Sequence, residues 1–148
     1  ETGLLSAAGA PCTADPGADA VKIAHERNVR VVPLIGPSSI LLSLMASGFN
    51  GQNFAFNGYL PVDKGERRNS ILSLEKLAQK GQTQIFIETP YRNDALVADI
   101  VSACRADTRL CAGIDLTLDT EEVVSMSVSE WKKKRPEIGK RFAIFLLG

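Results

Sequence analysis

The hydrophobic and polar positions of this chain fall into blocks that switch between helical and extended periods. Leu4-Leu5-Ser6 is a short apolar run that reads as a strand. Asp15-Pro16-Gly17 then opens a helix, with Asp15 as N-cap and Pro16 at the first helical position. Ala18, Val21 and Ala24 give that helix a buried stripe. Residues 29–34, with β-branched Val29, Val31 and Val32, suit a strand covered on both faces. Gly36-Pro37-Ser38 is a turn, Ser38 or Ser39 caps a helix over 40–47, and Gly48 closes it.

Residues 49–61 read as a connector, because Gly51, Gly58 and Pro61 interrupt Phe54, Phe56 and Tyr59. Beyond a charged entry, Ile71, Leu74, Leu77 and Ala78 mark an amphipathic helix that stops at Gly81. A strand over 83–87 and a helix over 93–105 follow. Three further strands are expected at 110–114, 122–127 and 142–147, with a short basic helix at 129–135 between the last two. The expected fold is α/β in two regions. Residues 1–52 form the C-terminal part of a parallel α/β domain, 53–62 connect, and 63–148 form a mixed-sheet α+β domain. Two strands cannot complete a sheet alone, so either they join a sheet from the second region or, the preferred expectation, the chain is a fragment whose N-terminal strands are missing.

Composition adds little beyond this. The chain has 148 residues, 45% hydrophobic, with 17 basic and 17 acidic side chains. Such a balance excludes disorder and bulk attraction to nucleic acid, though not a local basic patch. No apolar run approaches membrane-spanning length, and the start lacks the pattern of a signal peptide. Cys12, Cys104 and Cys111 have no metal-ligand spacing and fit small apolar residues in a reducing cytosol. No metal site is expected, and the lone His25 lies in a helical pattern without a nucleophile elbow.

The chemistry is expected at loops beyond the carboxyl ends of parallel strands. One runs from Ser6 through Gly9 to Gly17 and carries small side chains that let a ligand approach the backbone. The other, Pro33-Leu34-Ile35-Gly36-Pro37-Ser38-Ser39, brings two hydroxyls and the free amides of a helix start. The two bends are expected side by side at one rim of a sheet. Neither a G-x-G-x-x-G nor a P-loop pattern occurs.

Seven segments in order carry a resemblance over essentially the whole chain: Ser6-Ala7-Ala8-Gly9-Ala10-Pro11, Asp15-Pro16-Gly17, Val31-Val32-Pro33-Leu34-Ile35-Gly36-Pro37-Ser38-Ser39, Gly58-Tyr59-Leu60-Pro61, Lys64-Gly65-Glu66-Arg67-Arg68, Ile85-Phe86-Ile87-Glu88-Thr89-Pro90-Tyr91-Arg92, and the closing strand from Arg141. Together they resemble the tetrapyrrole methylase superfamily, the class III S-adenosylmethionine-dependent methyltransferases. The nearest branch is the one that methylates a cytidine ribose 2′-hydroxyl of small-subunit ribosomal RNA.

The resemblance implies a two-domain fold with the cofactor in the cleft between domains, and a chain lacking the family's N-terminal portion. It implies cofactor contacts at Ser6, Gly9, Ala10, Pro11, Thr13, Ser38, Ser39, Ile87, Leu116, Thr117, Phe142 and Ala143. Glu88 and Asp115 are the candidate catalytic carboxylates, and Lys64, Arg67, Arg68 and Arg92 the candidate substrate contacts. The implied partner is ribosomal RNA or the small ribosomal subunit, in a cytoplasmic homodimer.

Two departures bear on the substrate. Ala7 stands where the RNA-modifying branch has Asp, and Gly113-Ile114-Asp115-Leu116-Thr117 replaces an Arg-Glu-Leu-Thr-Lys run. Methylation of a tetrapyrrole or other small molecule, and a non-catalytic nucleotide-binding or interaction module, are the alternatives.

Overall fold

Strands β2 (Thr83–Ile87), β3 (Arg109–Ile114) and β5 (Ala143–Leu147) are buried along almost their whole length, as strands covered on both faces must be. The computed structural model, which describes residues 2–148, joins them with β1 (Phe54–Tyr59) and β4 (Glu122–Ser127) in one mixed sheet of order β1-β2-β5-β3-β4. β1 pairs parallel with β2, and the other pairings are antiparallel.

Period-two alternation assigns the two faces. Phe86, Leu110, Ala112, Phe145 and Leu147 point to one side, under α3 (Lys64–Gln79), α4 (Asn93–Ala103) and α5 (Val128–Lys134). Ile85, Cys111, Ile144 and Leu146 point to the other, where Ile40 and Leu44 of α2 (Ser39–Ser47) cover them. Two of these helices, α3 and α5, carry side-chain caps at their starts. Asp63 caps α3, accepting from the Glu66 N–H at 2.9 Å. Ser127 and Glu130 cap α5 reciprocally.

The direction of α2 matters for the site. The Ser125 hydroxyl of β4 donates to the Ser47 carbonyl at 2.9 Å, and Ser125 pairs with Cys111 in β3. One turn earlier, Ser43 lies over Gly113, where an added Cβ would stand 3.3 Å from the Ser43 Cβ. The helix therefore runs back along β3, and its N-terminal Ser39 faces the end of the sheet at which β3 stops. That close approach needs a glycine under a serine. Gly113→Val is expected to destabilise the protein by about 1–3 kcal/mol through overpacking. Urea denaturation of both proteins measures it; an unchanged midpoint would mean α2 is not held this closely.

The structure departs from the sequence expectations in three places. Residues 4–6 and 29–34 form no strand. A strand must hydrogen-bond to a neighbour, and the five strands of the described residues, all after residue 53, pair among themselves. The apolar side chains of Leu5, Val29, Leu34 and Ile35 accordingly remain exposed. α1 (Ala18–Glu26) begins after Gly17, not after Asp15, and has no side-chain cap. Residues 49–61 are not merely a connector, because they contain edge strand β1. Its register slips between Phe56 and Tyr59, at a left-handed Gly58. The compact units divide between Ser38 and Ser39, and α2 packs with the sheet that follows it.

Candidate functional site

Pairing register brings one group of the expected residues to a single end of the sheet. Ile87 is opposite Ile144, and Ile114 is opposite Ala143. The next residues along β2 and β3 are Glu88 and Asp115, and they flank Phe142 and Ala143 at the start of β5. Leu116 and Thr117 continue from Asp115, with Leu116 half-buried against the α2 face of the sheet. The N-terminus of α2, with Ser39, points to the same end. Seven residues expected at the cofactor or in catalysis thus meet where two strands finish and a third begins, the usual position of ligands in open α/β sheets.

Asp115 organises this end. It sits in the left-handed region at φ 48°, a conformation that favours glycine, asparagine and aspartate. Its N–H donates to the Phe142 carbonyl at 2.8 Å, and its Oδ1 accepts from the Phe142 N–H at 3.2 Å. Its Oδ2 accepts from the Thr120 hydroxyl at 2.9 Å. Glu121 then accepts from the Thr117 N–H at 2.6 Å, closing the loop. The carboxylate thereby ties the loop after β3 to the entry of β5.

Glu88 is similarly committed. Its side chain is only 1% exposed, and Oε1 accepts from the Thr89 N–H at 2.6 Å and from Arg92 Nη2 at 2.7 Å. The pair stiffens a short 3-10 turn, Pro90–Arg92, that leads into α4. At the start of α4, the Asn93 amide donates to the Gly139 and Arg141 carbonyls, and Asp94 accepts from the Ile138 and Gly139 N–H groups. Asn93 Oδ1 is buried without a partner, so the side chain gives up one acceptor to hold the segment leading to Phe142.

The candidate substrate contacts separate. Arg67 is tied to Asp99 at 2.7 Å and also donates to the Val62 carbonyl, so it holds α3 against α4 rather than offering itself to a phosphate. Arg92 is occupied by Glu88. Lys64 and Arg68 are exposed.

In the first unit, the Ser6 hydroxyl donates to the Ala8 carbonyl at 2.8 Å, and the Thr13 N–H donates to the Ala10 carbonyl at 3.3 Å. Gly9, Cys12 and Ala14 all adopt positive φ there. The expectation that this bend and residues 36–39 share the rim of one sheet is not met, because neither follows a strand.

Two open surface clefts, of about 390 Å³ beside Tyr59 and Asn69 and about 300 Å³ beside Arg105 and Thr108, do not include the residues gathered at the sheet end. Among the described residues no cluster of three His, Cys, Asp or Glu could hold a metal, and no helix is long and apolar enough to cross a membrane. Burial, reinforced by the Glu75 carboxylate, pushes the Cys104 thiol up to about 12, and burial pushes Cys111 up to about 11. Both are therefore protonated and unreactive near neutral pH.

Comparison with known proteins fits this arrangement. No family model matches the chain. The chain is 32% identical over 127 residues to ribosomal RNA small subunit methyltransferase I of Vibrio cholerae, covering 86% of this chain and 43% of that protein. It is 38% identical over 120 residues to the same-named protein of Mesorhizobium japonicum, covering 81% of this chain and 40% of that one. The chain is homologous to these proteins over most of its own length. It spans less than half the length of the curated relatives it matches. Among solved structures, the methyltransferase CobJ matches with a TM-score of 0.58 at 12% identity, covering 95% of this chain and 61% of that one. The uroporphyrin-III C-methyltransferase of Thermus thermophilus, complexed with S-adenosylhomocysteine, matches with a TM-score of 0.52 at 17% identity, covering 95% and 62%. These likenesses show that the chain shares the α/β fold of those two proteins, with a mixed sheet and, among the described residues, five α-helices.

Proposed function

We propose that this chain is part of an S-adenosylmethionine-dependent methyltransferase that modifies a ribose 2′-hydroxyl of ribosomal RNA. The observation that carries the reading is the convergence of Ile87, Glu88, Asp115, Leu116, Thr117, Phe142 and Ala143 at one end of the sheet, in a homologue of ribosomal RNA methyltransferases. The residues there suit a nucleoside. Leu116 and the exposed Phe142 ring offer apolar surface to a purine, and the loop after β3 offers backbone polar groups. Leu116, Thr117, Phe142 and Ala143 would hold the adenosine end, with Ile87 and Ser39 beside them.

S-adenosylmethionine supplies an electrophilic methyl on its sulfonium, so the protein's task is chiefly to hold the acceptor oxygen in line with it. In that scheme Glu88 and Asp115 act as positioning groups. Both spend carboxylate oxygens on protein N–H and O–H donors, which favours loop anchoring over proton transfer. In the intact protein, the segment up to about residue 52 would contribute the Ser6–Thr13 and Ser38 contacts to the first α/β domain. The same reading makes the enzyme a cytoplasmic homodimer.

The test is transfer of labelled methyl groups by the full-length protein to small ribosomal subunits from cells lacking it. The expected product is labelled RNA whose modified linkage survives alkali, because a 2′-O-methyl group removes the nucleophile of alkaline cleavage. Label in a linkage that alkali still cleaves, or no transfer at all, would overturn the proposal.

A further inference from the structure

We infer that Tyr91, with Lys140, forms a stacking platform for a nucleobase of single-stranded RNA beside the sheet-end site. The inference rests on the RNA-modifying reading and adds a substrate contact that the seven gathered residues do not supply. Tyr91 sits in the middle of the Pro90–Arg92 turn, three residues beyond Glu88. Its side chain is 80% exposed, so the fold gains almost nothing from an aromatic ring there.

The turn that carries it is nevertheless fixed on both sides. Pro90 restricts its entry, and the Arg92–Glu88 ion pair, with the Thr89 N–H on the same carboxylate oxygen, anchors its base. A rigid, exposed aromatic offers stacking area at little cost in conformational entropy.

The charge around the ring is also suited to a nucleotide. The Lys140 ammonium lies 5.2 Å from the ring centroid and leaves most of the ring open to solvent. Lys140 is exposed, belongs to the segment held by Asn93, and stands two residues before Phe142. A base stacked on Tyr91 would therefore bring its phosphate within reach of a cation and its ribose toward the end of β2. Arg92 is not available for this, being paired with Glu88, and Arg141 is paired with Glu122 at 3.0 Å. Of these three cations, Lys140 is the one left to meet the backbone. Stacking of this kind tolerates any base.

The experiment is fluorescence anisotropy of the full chain with a fluorescein-labelled, mixed-sequence single-stranded RNA of about ten nucleotides. Tyr91→Ala is expected to weaken binding about tenfold or more, with Tyr91→Phe within about twofold of the parent. Lys140→Ala is expected to flatten the dependence of log K on log salt by about 0.7. All three variants should keep the parent's thermal midpoint, as exposed positions do. Parent-like RNA affinity for Tyr91→Ala overturns the inference. Absence of RNA binding by the parent overturns both the inference and the RNA reading. Failure to bind S-adenosylhomocysteine with Tyr91-dependent RNA binding intact strikes only the methyltransferase reading.

Discussion

Trp131→Ala is expected to lower the unfolding free energy by about 3–5 kcal/mol, the largest stability change of any substitution considered for this protein. The indole is 1% exposed and belongs to the main hydrophobic cluster between the sheet and α3, α4 and α5. Two losses add. Truncation leaves a cavity in a close-packed core, and the surroundings relax into it only partly. It also deletes the donor of the Nε1–H bond to the Leu110 carbonyl, which measures 2.9 Å. Trp131→Phe keeps most of the volume and loses the hydrogen bond, and so separates the two terms; about 1–2 kcal/mol is expected for it. Urea denaturation followed by circular dichroism measures both. A Trp131→Ala midpoint close to the parent's would mean that α5 is not docked on β3.

The second large effect concerns ligand binding. Asp115→Ala is expected to weaken binding of S-adenosylhomocysteine by about 10- to 100-fold, corresponding to the loss of hydrogen bonds to a charged acceptor. The substitution removes the acceptor for the Phe142 N–H and for the Thr120 hydroxyl. It also places alanine at φ 48°, where a Cβ without a local hydrogen bond is strained. The loop after β3 and the start of β5 then lose their common anchor. Asp115→Asn tolerates the left-handed backbone and keeps one acceptor oxygen, so its loss is expected to stay below about tenfold. Calorimetric titration of the three proteins decides this. Equal affinities of all three proteins would remove Asp115 from the site, and a loss for Asn as large as that for Ala would argue that the negative charge itself meets the ligand.

The parts of this structure that were legible in the sequence are those whose signals are local or periodic. α3 follows from the Asp63 cap, from the inward spacing of Ile71, Leu74 and Ala78, and from Gly81 at its end. β2, β3 and β5 follow from apolar runs too continuous for one-sided strands. The start of α5 also had a local signal. The spacing of Ser127 and Glu130 is that of a capping box, and the apolar pattern alone placed the helix one residue late.

The parts that were not legible depend on neighbours. Residues 29–34 have strand-forming side chains, yet a strand also needs a partner to complete its hydrogen bonds, and their composition says nothing of that. β1 escaped because Asn57-Gly58 breaks its alternation at the register slip, which disguises an edge strand as a loop. Arg67 reads as a phosphate contact in a basic run, and only the fold brings Asp99 of α4 against it.

The site was legible in a corresponding way. That Glu88 and Asp115 lie at strand ends could be read from the pattern. Their carboxylates being spent on Arg92, Thr120 and Phe142 could be read only from the structure.

The central claim is that a nucleoside sulfonium cofactor rests where β2 and β3 end and β5 begins. Its most direct test is amide NMR of the isotope-labelled chain titrated with millimolar S-adenosylhomocysteine. Saturable shifts concentrated at Ile87, Glu88, Asp115 through Thr117, Phe142 and Ala143 are expected. Shifts gathered instead around the cleft beside Tyr59 and Asn69, or no saturable shifts anywhere, would contradict it.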